Sequence, residues 1–427
     1  MAGRRAPPPP ELDLDIGRIG SAGDGIAAGP GGTAWHVART LPGEAVRVQP
    51  MPADGATRAG LVAVLRASPA RVAPPCPHFD QGCGGCALQH WDDTAYAAWK
   101  RGLVVDALAR AGFADPAVGH LRRTPPRARR RMDFAVQRRE GGVTFGLHRA
   151  HGREIVELEV CHVLHPALFA LVAPLRRTLS GLAALRRAGS VLANLTDGGA
   201  DLLLRTDGPL ASTDRAKLAA FAAAHGVCRV SWAAAGAETA SMLSAPHMSF
   251  GGTRVEAPPG AFLQASAEGE AAIVAAVLAG LPPRGATRPR AVELFAGIGT
   301  IGFAVAAQMR VQAYEGDEAA AHAARRAQSG TRLDMTRRDL ARQPLSAKEM
   351  DGAAVVILDP PYGGAAMQMP AIAASGVRRV IYVSCNPGIL ARDGAVLAQA
   401  GYRLLAATPI DQFLWSAQIE CVAVLAR

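Results

Sequence analysis

Residues 291–302, AVELFAGIGTIG, constrain the fold more than any other stretch of the chain. A short apolar run ends in Gly297, Gly299 and Gly302, spaced G-x-G-x-x-G, and passes directly into a second apolar stretch. That pattern predicts a strand feeding a helix through a tight turn, where glycine lets the backbone approach a nucleotide. Around it, helices at 268–281 and 300–308 alternate with strands at 291–295, 311–314, 354–358 and 380–384. Such alternation predicts a doubly wound, largely parallel sheet for residues 266–427. Glu315 lies 18 residues after Gly297 and ends the next strand, where a carboxylate can bind ribose hydroxyls.

A chain of 427 residues has room for two or three domains. In residues 1–70, the short β-rich runs LDLDIGRI, GIAAG, TAWHVA, EAVRVQP and GLVAVLRA are separated by turns such as SAGDG, GPGG and LPGE. Five short strands at this spacing predict a small barrel of the OB type. SPARVAPP, residues 68–75, links it to a mixed α/β region at 71–265, which has a helix at 94–111 and a second α/β stretch at 167–254. The expected fold is therefore a multidomain α/β protein with a barrel, a central region and a C-terminal doubly wound domain.

The formal charge is +10, but all basic residues except Lys100, Lys217 and Lys348 are arginine, so placement carries the argument. The three segments carry +1, +7 and +2, and residues 122–139 (RRTPPRARRRMDFAVQRR) hold eight arginines and one acid. Guanidinium groups at that density predict a phosphate-tracking surface. Seven cysteines, three of them clustered, point to metal binding and catalysis in a reducing compartment rather than to a disulfide framework. The cluster reads Cys76-x6-Cys83-x2-Cys86 and suits iron–sulfur or zinc. Cys161 could supply a fourth ligand, or His78, His90, His162 or His165 could complete a zinc site. Residues 1–11 lack the apolar core of a secretory signal, so a cytoplasmic protein is expected.

Two further motifs carry chemistry. LDPPY (residues 358–362) places Asp359 at the carboxyl end of an apolar strand, beside Tyr362, which can stack on a base. In IYVSCNPGILARD, Cys385 follows the strand ending at Ser384, while Glu420 lies in the apolar terminal run AQIECVAVL. A thiolate and a buried carboxylate beside a methyl-donor site suit methylation at C5 of a pyrimidine. The thiolate adds at C6 to make C5 nucleophilic, and the carboxylate later removes the C5 proton. DPPY alone also suits an amino-methyltransferase acting on an exocyclic nitrogen. The barrel, cysteines and arginines alone would suit a non-catalytic RNA-binding protein.

Taken together, these motifs resemble the RNA 5-methyluridine methyltransferase family over nearly the full chain. The resemblance implies a TRAM-type RNA-binding barrel at 1–70 and a central RNA-binding region at 71–265 with a [4Fe–4S] site on Cys76, Cys83, Cys86 and Cys161. It implies an S-adenosylmethionine-dependent Rossmann-like domain at 266–427, with the helical part at 92–118 packing on it. GAFLQAS is similar to the family's F-x-Q motif, placing Phe262 and Gln264 at the methyl-donor and target-base pocket. LFAGIGT supplies Phe295, Gly297, Gly299 and Thr300 to the cofactor, joined by Glu315, Asp339 and Asp359. Cys385 is implied as nucleophile and Glu420 as base. DQFLWSAQ, before Glu420, lacks the Pro and His of the best-known transfer-RNA enzymes. That departure weakens a transfer-RNA substrate, which stays as the alternative, while the implied cluster and barrel point to 23S ribosomal RNA, acted on by a monomer with no membrane partner.

Overall fold

The computed structural model describes residues 9–29, 32–51, 57–233, 236–283 and 289–427. Most of the 1–11 stretch read for a signal, and Pro30 and Gly31 of the GPGG turn, lie outside these residues. The chain divides into two compact units, Met1–Trp99 with Trp415–Gln418, and Lys100–Leu414 with Ile419–Arg427.

In the first unit, β1 (Leu12–Ile19), β2 (Gly25–Ala28), β3 (Ala34–Val37), β4 (Ala45–Met51) and β5 (Arg58–Arg66) close a barrel in the order β1-β2-β3-β5-β4. The five predicted runs are these strands. Alternation along LDLDI sends Leu14 and Ile16 inward to meet Val37, Val46 and Val48, and leaves Asp13 and Asp15 outside. A register shift between Ile16 and Arg18 then returns Ile19 to the buried face. Glu44 ties the barrel to the proline-rich link: its buried carboxylate accepts from the N–H groups of Leu41 (2.8 Å) and Ser68 (3.2 Å), and from Arg71 Nε (2.5 Å). Burial opposes that charge, yet Arg71 and the two N–H donors hold the carboxyl below its ordinary range.

The second unit contains two large sheets. A two-residue strand, β6 (Arg122–Arg123), precedes β7 (Arg131–Arg139), β8 (Gly142–His148), β9 (Ile155–Glu157), β10 (Ala188–Thr196), β11 (Gly199–Thr206), β12 (Arg229–Ala233) and β13 (Ala237–Met242). The last seven form one sheet, ordered β13-β12-β11-β10-β7-β8-β9. A hairpin of β14 (His247–Phe250) and β15 (Thr253–Glu256) leads to the Ala267–Gly280 helix. Then follow β16 (Arg290–Leu294), β17 (Arg310–Glu315), β18 (Leu333–Arg337), β19 (Ala353–Leu358), β20 (Arg379–Ser384), β21 (Arg403–Asp411) and β22 (Glu420–Ala426). With β6 they make an eight-stranded sheet, ordered β18-β17-β16-β19-β20-β22-β21-β6.

Strands β16 to β20 are parallel, and the order reverses between β16 and β19. AAVVIL is apolar throughout because both faces are covered: Val355 and Ile357 enter one core, Val356 and Leu358 the other. The arginine run is divided between the two sheets. Arg122 and Arg123 reach the large sheet, while Arg130 is buried against Glu270 at 2.5 Å. Arg138 donates to the carbonyls of Ser180, Leu182 and Leu185. Those two guanidiniums serve the fold, which corrects the expectation that the whole run tracks phosphate.

Lys100 and Asp411 form a fully buried ion pair at 2.9 Å, between the Asp93–Arg110 helix and the end of β21. Removing one member strands the other charge in the interior. Lys100→Met is expected to lower unfolding stability by about 3–5 kcal/mol, read as an earlier urea midpoint.

Candidate active site

The register of three strands assembles the site. β20 and β22 are antiparallel with Ser384 opposite Cys421, so the next residues outward, Cys385 and Glu420, emerge side by side. β19 lies parallel to β20 with Leu358 beside Tyr382, which brings Asp359 to the same edge. This is the crevice at the carboxyl ends of the strands, near the switch in strand order, where open α/β sheets bind ligands.

The loop carrying Cys385 is fixed from both sides. The Ser384 hydroxyl donates to the Asn386 carbonyl (3.2 Å) and accepts from the Asn386 N–H (3.3 Å). The Asn386 side chain caps the Pro387–Gln399 helix by accepting from the Gly388 N–H at 3.0 Å, and its Nδ2 donates to the Tyr362 carbonyl at 3.4 Å. The Cys-Asn-Pro turn and the Asp-Pro-Pro-Tyr turn are thereby joined.

Around the thiol lies a chain of buried amides and carboxylates. Gln264 Nε2 donates to Asp359 Oδ2 (3.2 Å), and Gln412 Nε2 donates both to Gln264 Oε1 (2.8 Å) and to Glu420 Oε2 (2.9 Å). Glu420 Oε1 is buried with no hydrogen-bond partner. Burial raises the Asp359 carboxyl to about 7, against the pull of the Gln264 hydrogen bond. Burial and then the Asp359 charge raise Glu420 well above the usual carboxylate range, with Gln412 pulling the other way. The Cys385 thiol is pushed up to about 12 by burial, then by Glu420 and Asp359. At neutral pH the thiol therefore keeps its proton, and Glu420 is a carboxyl poised to exchange one.

Phe262 and Tyr362 are 65% and 58% exposed, so two aromatic faces near this edge meet solvent. The Arg131 guanidinium sits 5.2 Å from the Phe262 ring centre.

On the neighbouring strands, Glu315 Oε2 accepts from the Gly297 N–H (2.7 Å) and Oε1 from the Asp317 N–H (2.6 Å). Gly297 adopts φ +56° with open space where a side chain would stand. Phe295 adopts φ +62°, a conformation that costs a phenylalanine and collects at ligand sites. Gly299 caps the Thr300–Ala306 helix in the left-handed region. Asp339 is exposed beside Gly316 and accepts from the Ala341 N–H at 3.0 Å. Open space at Gly297, the strained Phe295 and the carboxylates of Glu315 and Asp339 suit a nucleoside-bearing cation.

Sequence reasoning missed two residues here. Gln412 sits in no motif, although its place before an apolar terminal strand was visible. Glu293 lies buried under the glycine turn with Oε2 unpartnered, where a Cβ on Gly302 would fall 2.1 Å from that oxygen. Burial, reinforced by Asp359, pushes its carboxyl up to about 8.

The cysteine expectation fares differently. Cys76, Cys83, Cys86 and Cys161 are not joined in disulfides, and their thiols are chemically suited to a soft metal. Cys76 Sγ lies 3.7 Å from His78 Nδ1, and Cys161 Sγ accepts from the Leu164 N–H at 3.4 Å. Among the described residues, however, no group of three or more His, Cys, Asp or Glu side chains is placed to hold a metal ion, so the geometry does not reproduce the implied site. No helix among those residues is long and apolar enough to cross a membrane.

No protein-family model matches the chain. It is 42% identical over 418 residues to an uncharacterized RNA methyltransferase of Brucella suis, covering 97% of both chains. It is 35% identical over 436 residues to the 23S rRNA (uracil(1939)-C(5))-methyltransferase of Chromohalobacter salexigens, covering 97% of this chain and 89% of that one. Its fold matches that of the Pyrococcus abyssi tRNA (uracil-54, C5)-methyltransferase, solved with S-adenosyl-L-homocysteine. There the TM-score is 0.72 at 17% identity, over 97% of this chain and 100% of that one. With identity above 30% along nearly its whole length, the chain belongs to the RNA 5-methyluridine methyltransferase family.

Proposed function

We propose that the chain transfers a methyl group from S-adenosylmethionine to C5 of a uridine in RNA, with 23S ribosomal RNA as substrate. The observation that carries this reading is the convergence of the Cys385 thiol and Glu420, its Oε1 unpartnered, on one sheet edge beside Asp359. Phe295, Gly297, Gly299, Thr300, Glu315, Asp339 and Asp359 would hold the cofactor, which supplies a methyl on a positively charged sulfur. The Asp359 and Glu293 carboxyls are raised by burial, and a bound cation would draw them towards the ionised form.

Cys385 must first lose its thiol proton to solvent, and the resulting thiolate bonds to C6 of the target uridine, moving electron density to C5. C5 would take the methyl group as the bond from that methyl to the donor sulfur breaks, and briefly carries both it and a proton. Glu420 Oε1 removes that proton, the C5=C6 bond reforms, and the Cys385 sulfur leaves as thiolate. Gln264 stands where it can hydrogen-bond the uracil edge, and exposed Phe262 and Tyr362 offer stacking faces to an unpaired base. The barrel is read as a TRAM-type RNA-binding module, 71–265 as a central RNA-binding region, and 266–427 as a Rossmann-like catalytic domain, in a cytoplasmic monomer.

The ribosomal substrate rests on relatives that act on 23S rRNA at 32–35% identity. The test is mass-spectrometric mapping of 5-methyluridine in a deletion strain: loss of one site in 23S rRNA is expected, and loss confined to transfer RNA would overturn the substrate. An iron–sulfur cluster on Cys76, Cys83, Cys86 and Cys161 is proposed from the cysteine pattern and the resemblance alone, and no step runs through it. Four irons per chain in anaerobically purified protein are expected; colourless protein with one zinc would overturn it.

A further inference from the structure

The polarity of the buried chain from Asp359 to Glu420 is decided by one backbone group. The Ala265 N–H donates to Gln412 Oε1 at 3.0 Å, and a backbone N–H can only donate. The oxygen end of Gln412 must therefore face Ala265, which turns its amide nitrogen towards Gln264 Oε1 and Glu420 Oε2. Gln264 then receives at its own oxygen, so its nitrogen must face Asp359. No flip of either amide keeps all four hydrogen bonds.

The fold invests in holding Gln412 there. Its predecessor Asp411 is paired with fully buried Lys100, and the Asp411 carbonyl accepts from the Thr124 N–H (3.2 Å) and hydroxyl (3.0 Å). On the other side, the Ala267–Gly280 helix presents Gly269, where a Cβ would stand 2.6 Å from the Gln412 Cβ and 2.9 Å from its Oε1. A side chain at 269 would dislodge the amide.

We propose that Gln412 is a positioning residue: its amide, oriented by Ala265, holds Glu420 Oε2 and so leaves Oε1 as the oxygen that accepts the C5 proton, and it couples that carboxyl through Gln264 to Asp359. The inference deepens the uracil-C5 reading and rests on it for the proton's identity, but not for the geometry. The groups facing Glu420 are Asp359 from β19, Cys385 after β20 and Cys421 beside it on β22. Of the other acids on the elements around it, Asp411 on β21 is paired with Lys100, and Glu270 on the Ala267–Gly280 helix with Arg130. Gln412 is the donor that favours the ionised form of Glu420 against burial and Asp359.

The test compares wild type with Gln412→Met, which keeps length but neither donates nor accepts strongly. Gln412→Leu serves as the second variant, removing both donor and acceptor without adding a charge beside Glu420. With 13C-labelled glutamate, the Glu420 resonance is identified by its disappearance in Glu420→Gln and titrated without substrate. Both variants are expected to raise the Glu420 midpoint by about one pH unit or more, since a buried hydrogen bond to a charged group is lost. The acid limb of the turnover profile is expected to rise with it, and kcat to fall about tenfold to a hundredfold while KM for S-adenosylmethionine stays within about threefold. An unchanged midpoint, or turnover whose pH profile does not move, overturns the proposal. Because the titration uses no RNA, wild-type protein that makes no 5-methyluridine would overturn the functional reading alone.

Discussion

Cys385→Ala is expected to abolish 5-methyluridine formation, lowering kcat by about 10⁴-fold or more. Without a nucleophile at C6, the C5 carbon of uracil has no electron density with which to take a methyl group. Cys385 sits in a capped turn with its side chain only partly buried, so alanine there leaves the sheet and the helix cap intact. S-adenosylmethionine affinity and the thermal midpoint are therefore expected to change little. Radiolabelled methyl transfer to RNA, followed by nucleoside analysis, measures the effect. Full activity, or transfer to an exocyclic nitrogen instead, would remove the covalent route and favour an amino-methyltransferase.

Glu420→Gln is expected to stop the reaction at a different point. Adduct formation and methyl transfer need no base at Glu420, but release does. The variant should therefore hold ordinary uridine-containing RNA in a covalent complex that survives denaturing electrophoresis and requires S-adenosylmethionine. Turnover should fall about 10²–10⁴-fold, the range attributed to a positioned general base. In wild type, Glu420 must be ionised to act, and burial with the Asp359 charge raises its pKa. Activity is thus expected to fall as pH drops through a midpoint above the ordinary carboxylate range, and to recover as pH rises. Replacing Asp359 by Asn removes one of the charges that raise Glu420, so the midpoint is expected to move down. A profile flat from pH 5 to 8 would contradict the assignment of Glu420 as base.

Much of this site is legible in the chain because each part has a local signature. The glycine turn, LDPPY and SCNP each follow a strand whose apolar run is short and bounded, and parallel strands place such turns on one edge. The barrel was readable for the same kind of reason: LDLDI alternates with period two, and the turns between its strands are glycine- and proline-rich. Gln412 was not readable, because its role depends on register. β21 and β22 pair so that Ile410 faces Glu420, and only that pairing brings the next residues of β21 to the base. Arg130 and Arg138 misled for a related reason. A guanidinium bound to Glu270 or to three helix and loop carbonyls looks the same in sequence as one facing solvent. The central sheet joins β7 to β10 across about fifty residues, a non-local pairing that no short window records.

The most direct test of the central claim uses RNA carrying 5-fluorouridine at the target position, with wild-type protein and S-adenosylmethionine. Fluorine at C5 cannot leave as the proton does, so the reaction should halt after methyl transfer. The prediction is a stable protein–RNA complex whose mass equals protein plus RNA plus one methyl group less the thiol proton, and whose digested cross-link maps to Cys385. No complex with a competent substrate, or a complex that forms equally well in Cys385→Ala, would contradict the account.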